Sequence, residues 1–234
     1  PDFNADMPIL RLTSKAYAAE QRLSINTERA SVSSPTSFSW PAESSETTHF
    51  SVVDRERNAV SLTYTLEFGY GSVIVVPGGG FLLNNEMGDF NAGPDTTNAD
   101  GLIGTEPNLT APGKRMLSSM TPTIIAKDGQ LFMVTGTPGG RTIINTVLQT
   151  ILNVTDFGMN IQEAIDAPRF HHQWLPDRIN YERYGFSPDT MRLLESRGHT
   201  LREVIDQGAA EAILFNVEEN LLEAGLDGRR PDGG

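Results

Sequence analysis

The 234-residue chain contains no cysteine, which excludes disulfides, thiolate metal sites and a cysteine nucleophile but leaves the redox compartment open. Basic residues are scarce: 18 Lys and Arg stand against 30 Asp and Glu, the net charge is −12, and no basic run exceeds a pair. A nucleic-acid groove or an anionic-membrane surface is therefore not expected. No window reaches the roughly 18 apolar residues of a membrane-spanning helix. The first residues, Pro1-Asp2-Phe3-Asn4, carry no initiator Met, basic n-region or apolar h-region. The sequence reads as an internal piece of a longer protein, with any signal peptide upstream. Its length suits one domain with a sizeable core, at roughly 100 to 200 residues per domain, plus an arm.

The arm comes first. Residues 14–23 predict a short helix capped by Thr13 or Ser14. They lead into a Ser/Pro/Glu-rich tract over 30–46 that cannot bury enough apolar surface to offset its ordering entropy. At Thr47 the pattern changes abruptly to strict alternation, predicting a hairpin of strands over 48–54 and 59–66 about the turn at 55–58. Gly69, Gly71 and Gly78 to Gly80 punctuate two further expected strands. Residues 91–117 lack a period and read as a long functional loop. A second hairpin is predicted over 121–135, ending in Gly136-Thr137-Pro138-Gly139-Gly140. Residues 141–154 follow as a helix whose Ile143, Ile144, Val147, Leu148, Ile151 and Leu152 form a double apolar stripe for burial. Helices over 160–167 and 187–197 and strands over 199–204, 213–217 and 221–224 complete an α+β layered order.

Several residues carry possible chemistry. Thr47 sits where a flexible acidic tract meets a strand. Freed as an N-terminus, it would hold a hydroxyl nucleophile and an α-amino base of pKa about 7.7 to 8.0 in one residue. It could equally be a β-branched strand residue. Glu86 and Asp89 follow an apolar lead-in, and Ser118-Ser119 place two hydroxyls where both can reach one carboxylate. Each pair could also be a plain turn. Gly139-Gly140 lack the Lys-Ser/Thr of a P-loop, but they precede a helix N-terminus, which favours negative charge. His171 and His172 are adjacent in an extended segment, point to opposite sides and have no third ligand at suitable spacing, so they read as structural. Asn108-Leu109-Thr110 and Asn153-Val154-Thr155 match the glycosylation sequon.

With Thr-Thr-His-Phe-Ser-Val-Val-Asp (47–54), Phe-Leu-Leu-Asn-Asn-Glu-Met-Gly-Asp-Phe (81–90), Arg-Met-Leu-Ser-Ser-Met-Thr-Pro-Thr (115–123), Thr-Gly-Thr-Pro-Gly-Gly (135–140) and Ala-Pro-Arg-Phe-His-His-Gln-Trp-Leu-Pro (167–176), the chain resembles the γ-glutamyltranspeptidases from end to end. The resemblance implies an N-terminal-nucleophile hydrolase with a four-layer αββα sandwich, incomplete in this piece. It also implies a precursor that cuts itself before Thr47, with 1–46 the tail of the large subunit and 47–234 the small catalytic subunit. Thr47 is then the nucleophile, Thr65 its supporting hydroxyl, and Gly139 and Gly140 the oxyanion hole. Asp89 and Glu86 would hold the donor's α-amino group, Ser118 and Ser119 its α-carboxylate, and residues 94–115 the lid.

The implied donor is glutathione or another γ-glutamyl amide, the acceptor water, an amino acid or a peptide, and the further partner the large-subunit portion, which carries the family's carboxylate-binding arginine. Neither metal nor organic cofactor is implied, and the location is periplasmic or extracellular. Two positions depart from the family: Glu67 stands where members usually carry Asn, and Glu86 where many carry Gln. Glu67 is expected near the donor carboxylate, so that Glu67→Asn improves donor binding; if Glu67 pairs with the donor ammonium instead, the substitution weakens it. An amidase of the same fold with another acyl group, cephalosporin-acylase-like or poly-γ-glutamate-processing, and a non-catalytic subunit fragment are the alternatives.

Overall fold

The alternating run at Thr47 forms strand β1 (Thr47–Val53) in the computed structural model, which describes residues 8–33, 47–91, 93 and 108–230. The polar tract beyond residue 33, including residue 46, and residues 94–107 of the expected lid lie outside that range. Strand β1 pairs antiparallel with β2 (Ala59–Thr65), opposing Thr47 to Thr65, His49 to Thr63 and Ser51 to Ser61. Asp54 closes the turn by accepting the backbone N–H of Asn58 at 2.8 Å. In the arm, α1 (Ile9–Leu12) precedes α2 (Lys15–Ser24), whose N-cap is Ser14.

A four-stranded antiparallel sheet of order β3-β4-β8-β9 forms the platform: β3 (Thr123–Lys127), β4 (Gln130–Gly136), β8 (Glu211–Asn216) and β9 (Leu221–Gly225). The β1–β2 hairpin packs on one face, chiefly through β4 and β8. On the other face lie α3 (Thr142–Thr155) and α4 (Ile161–Asp166), the latter opened by a capping box between Asn160 and Glu163. Met133, Ile161, Ile165, Ala210 and Ala212 are buried there as the apolar core. A third sheet joins β5 (Phe170–His171), β6 (Ile179–Glu182) and β7 (Leu201–Val204). Its β6 and β7 are parallel and therefore need a crossover, which α5 (Pro188–Ser196) supplies, with Ser187 as N-cap and Pro188 in its first turn. Among the described residues no helix is long and apolar enough to cross a membrane.

Two expectations fail, and two short strands are not anticipated. The two strands around Gly69 to Gly80 are turns with a single bridge, Val75 to Leu82, because Gly71, Val73, Gly78 and Gly80 all adopt positive φ and keep leaving the extended region. Strands β5 and β6 have no alternating signature, being two and four residues long. In α3 only half of the double stripe is buried. Ile143 and Val147 go in with Thr146 and Thr150, while Ile144, Leu148 and Leu152 stay exposed. The buried Thr150 hydroxyl donates to the Thr146 carbonyl at 2.9 Å, which removes the penalty of burying it.

Candidate functional site

Thr47, the first residue of β1, is buried on the face of the hairpin that looks at the platform sheet. Its cross-strand partner Thr65 stands on the same face, the separation at which paired side chains interact. The Thr65 hydroxyl oxygen accepts the backbone N–H of Glu67 at 2.9 Å. Its own proton is then what it offers to a neighbour. The next inward residue, His49, contacts Thr63 Oγ1 through Nδ1 (2.9 Å) and Ser51 Oγ through Nε2 (3.1 Å). It lies so close to β4 that a Cβ on Gly136 would meet the ring at 2.1 Å. Burial lowers its pKa to about 4, so the imidazole is neutral near neutral pH and a poor base.

Beyond Thr65 the chain turns sharply, with Glu67 at φ 75°. Asn85 then ties the next segment back: its N–H reaches the Leu66 carbonyl at 3.1 Å, and its side chain accepts the Phe68 N–H at 3.2 Å. This docks a single 3₁₀ turn, Glu86–Asp89, against the end of β2. With three residues per turn, positions 86 and 89 eclipse and share a side. As a result one carboxylate oxygen each from Glu67, Glu86 and Asp89 lies within 4.8 Å of the others. Glu86 is buried and its Oε2 has no hydrogen-bond partner among the described residues. Burial, with the charge of Asp89 second, raises its pKa.

Such a trio is relieved by a cation or by a proton held on Glu86, whose pKa is raised. A hard divalent ion takes six or more oxygens, of which three are supplied here, whereas an ammonium offers three donors for three acceptors. The sharp turn after Thr65 sets the Glu67 carboxylate among the other two acids.

The hydroxyl pair arrives through a residue the sequence presented only as a sequon. Asn108 is 6% exposed; its Nδ2 donates to the Asp89 carbonyl (2.7 Å) and to Asn91 Oδ1 (3.2 Å), and its Oδ1 accepts the Leu117 N–H (3.0 Å). This staple sets Ser118 and Ser119 beside Asp89 and argues against a glycan at Asn108. The Asn153 amide likewise donates to the Ala164 carbonyl at 3.2 Å. Gly139 and Gly140 form the turn into α3, at φ 134° and 55°. They enter it as acceptors, from the Thr142 and Ile143 N–H groups at 3.1 and 3.3 Å. A Cβ on Gly139 would come within 2.7 Å of Thr142 Oγ1 and 3.0 Å of the Gly208 backbone.

Thr47, Thr65, Glu67, Asp89, Ser118, Ser119 and Gly140 line one cavity, with Met120 and Ile143 as its apolar wall. Glu86 joins it through the acid trio, and Gly139 is next in chain to Gly140. A hydroxyl, an acid trio, a hydroxyl pair and a glycine turn at a helix N-terminus thus converge. They can hold an ammonium, a carboxylate and a developing oxyanion around one nucleophile. The histidine pair lies elsewhere. His171 is buried, bridging Asn145 and Gln173 at 2.9 Å each, while His172 faces Asp177 at 3.2 Å. They point apart, as expected.

The family model for γ-glutamyltranspeptidase matches residues 1–234. The glutathione hydrolase proenzyme of Escherichia coli (strain K12) is 47% identical over 226 residues, 96% of this chain and 39% of its own length. This chain therefore spans about two-fifths of that relative. A crystal structure of a mutant γ-glutamyltranspeptidase from Helicobacter pylori aligns at a TM-score of 0.73 and 45% identity, covering 78% of this chain and 100% of the solved one. A cephalosporin acylase from Bacillus halodurans aligns at 0.77 with 27% identity, over 98% of this chain and 39% of its own.

Proposed function

The chain belongs to the γ-glutamyltranspeptidase family, and from that premise we propose that it carries the catalytic half of an enzyme that transfers and hydrolyses γ-glutamyl groups, with glutathione as donor. The observation that carries this reading is the cavity that gathers Thr47, the acid trio and Ser118-Ser119. Donor ammonium enters the trio, where the unpartnered Glu86 oxygen receives it, and donor α-carboxylate meets the serine hydroxyls. The γ-carbonyl then lies at Thr47. Its Oγ attacks the carbon while the α-amino group of the same residue takes the hydroxyl proton. The oxyanion is held by the N–H groups of Gly139 and Gly140, aided by the start of α3. Collapse returns the proton to the leaving amine and leaves a γ-glutamyl ester on Thr47, which water or an amino acid opens. The sequence of steps calls on no metal or organic cofactor.

The base must be freed first, by cleavage between Glu46 and Thr47, with 1–46 the end of the large part and 47–234 the small subunit. Residues 47–234 are about four-fifths of this chain, close to the 78% covered by a wholly matched solved chain, and the word proenzyme in the E. coli relative fits the same division. The rest of the precursor supplies the outer helical layer of a four-layer αββα sandwich, against the apolar outer side of the β1–β2 hairpin. A periplasmic or extracellular location follows the family. The acylase reading is less supported: identity is 27% there against 47% to the glutathione hydrolase.

The test is to express the full-length precursor, establish by intact mass a small subunit beginning Thr-Thr-His-Phe, and supply a chromogenic γ-glutamyl anilide. Anilide release is expected, with kcat/KM rising through the amine pKa into the neutral to mildly alkaline range. Folded, cleaved protein that releases none would overturn the reading.

A further inference from the structure

A second cavity opens at the same nucleophile. It shares Thr47 and Thr65 with the first but otherwise has its own walls, among them Thr48, Phe68, Gly69 and Arg230. The two differ in charge. Glu67 and Asp89 line the first, with Glu86 joined to them, whereas among the described residues Arg230 is the one charged residue lining the second. A molecule with an ammonium at one end and a carboxylate at the other, its reacting carbonyl at Thr47, is oriented by such a field.

Arg230 is delivered by a fixed backbone. Its neighbour Arg229 donates through Nε and Nη2 to both oxygens of buried Glu182, at 2.9 and 2.7 Å, and through Nη1 to Asp227 Oδ1 at 3.1 Å and the Ile165 carbonyl at 2.9 Å. Asp227 in turn accepts from buried Arg169 and from the Ala210 N–H, each at 2.6 Å. This ionic cluster immobilises the chain up to residue 229. Arg230 therefore leaves from a backbone that is held at its preceding residue.

We propose that the second cavity receives the amine-side partner of the reaction and that Arg230 recognises its carboxylate. The inference rests on the proposed function. In the first half-reaction that partner is the departing peptide of the donor, and in the second it is the acceptor, an amino acid or short peptide with a free C-terminal carboxylate. The acceptor's neutral amine attacks the ester carbonyl carbon and the bond from that carbon to Thr47 Oγ breaks. The proton lost by the amine passes through the Thr47 α-amino group to Oγ. Water uses the same ester but gains nothing from Arg230, so the arginine biases the enzyme from hydrolysis toward transfer. A guanidinium suits this task because it presents a planar fork of donors to a carboxylate.

The experiment uses the matured full-length enzyme, a chromogenic γ-glutamyl anilide as donor, and two acceptors that differ only at one end: glycylglycine and its C-terminal amide. Unmodified enzyme is expected to favour the carboxylate form by at least about tenfold in kcat/KM, the low end for a hydrogen bond to a charged group. Arg230→Met is expected to bring that ratio within about twofold, mainly through a higher acceptor KM, and Arg230→Lys to keep part of it. The ratio is formed within each protein and so does not depend on how much of a variant matures. Equal use of the two acceptors by the unmodified enzyme overturns the proposal without any variant. Retention of the full preference by Arg230→Met overturns it as well. Matured enzyme that releases no anilide overturns the proposed function and this inference with it, whereas release without carboxylate preference overturns this inference alone.

Discussion

The platform sheet has two unlike neighbours. On one face α4 lays Ile161 and Ile165 onto Met133 and Ala212, with Ile151 and Val154 of α3 beside them, an apolar core. On the other, the hairpin turns Thr47, His49, Ser51, Ser61, Thr63 and Thr65 toward the sheet and leaves Phe50, Val52, Val60, Leu62 and Tyr64 exposed on its outer side. The difference separates two jobs. Burial of apolar area on the helix side holds the sheet, and the polar inner face of the hairpin can be given over to chemistry because it is not what holds the fold. Its outer side is apolar and exposed.

That separation can be broken experimentally. The largest effect belongs to Thr47→Ala, expected to lower γ-glutamyl anilide turnover by at least about 10³-fold and to prevent the split before residue 47. Precursor stability in urea should shift by no more than about 1 kcal/mol. A variant that still splits there removes Thr47 from the chemistry. The converse is Ile165→Ala, which opens a cavity on the helix side and should cost about 2 to 5 kcal/mol in the same titration. If it spares stability and removes turnover per folded molecule, the division between the faces is wrong.

Glu86→Gln sharpens the site further. Because burial and Asp89 raise the Glu86 pKa, the residue protonates above the ordinary carboxylate range as pH falls, and donor KM should rise over that interval. With Gln that acid limb should disappear, and KM at neutral pH should rise about tenfold or more, as expected when one partner of a buried charge pair is removed. Glu67→Asn, in a half-buried position, should raise donor KM about threefold. A lowered KM would instead support the carboxylate-facing placement that the sequence suggested.

The smallest effect concerns His49→Gln. The folded pKa of about 4 lies below the ordinary 6.5, so the unfolded chain binds a proton that the folded one refuses between those values. Stability contributed by the neutral ring is whole above pH 6.5 and lost as pH falls toward 4, by at most about 1.4 kcal/mol per unit. Gln should flatten that acid slope and leave the alkaline limb of kcat/KM in place. Loss of the limb would make His49 the base.

Local rules reached far into this fold. Alternation from Thr47 located the hairpin, Ser187-Pro188 started α5, and Gly198 ended it, because caps and side-chain periods are set by neighbours in sequence. Resemblance to a family over several long motifs also singled out Thr47, Thr65, Glu86, Asp89, Ser118, Ser119, Gly139 and Gly140 as candidates before any coordinates.

What sequence could not settle were matters of contact. Which half of the α3 stripe is buried depends on the sheet beneath it. The aim of Glu67 depends on a left-handed backbone and on Thr65 accepting its N–H. Asn108 looked like a glycan acceptor until its two hydrogen-bonding ends were found joining segments 17 and 9 residues away. Arg230 carried no motif at all. Its place beside Thr47, 183 positions earlier by their numbers, is set by a buried ionic cluster whose members are scattered from Ile165 to Arg229. Pattern along the chain determined most of the elements and which side chains they offer; only the long-range packing decided which of those groups meet, since distance in space is not written in sequence separation.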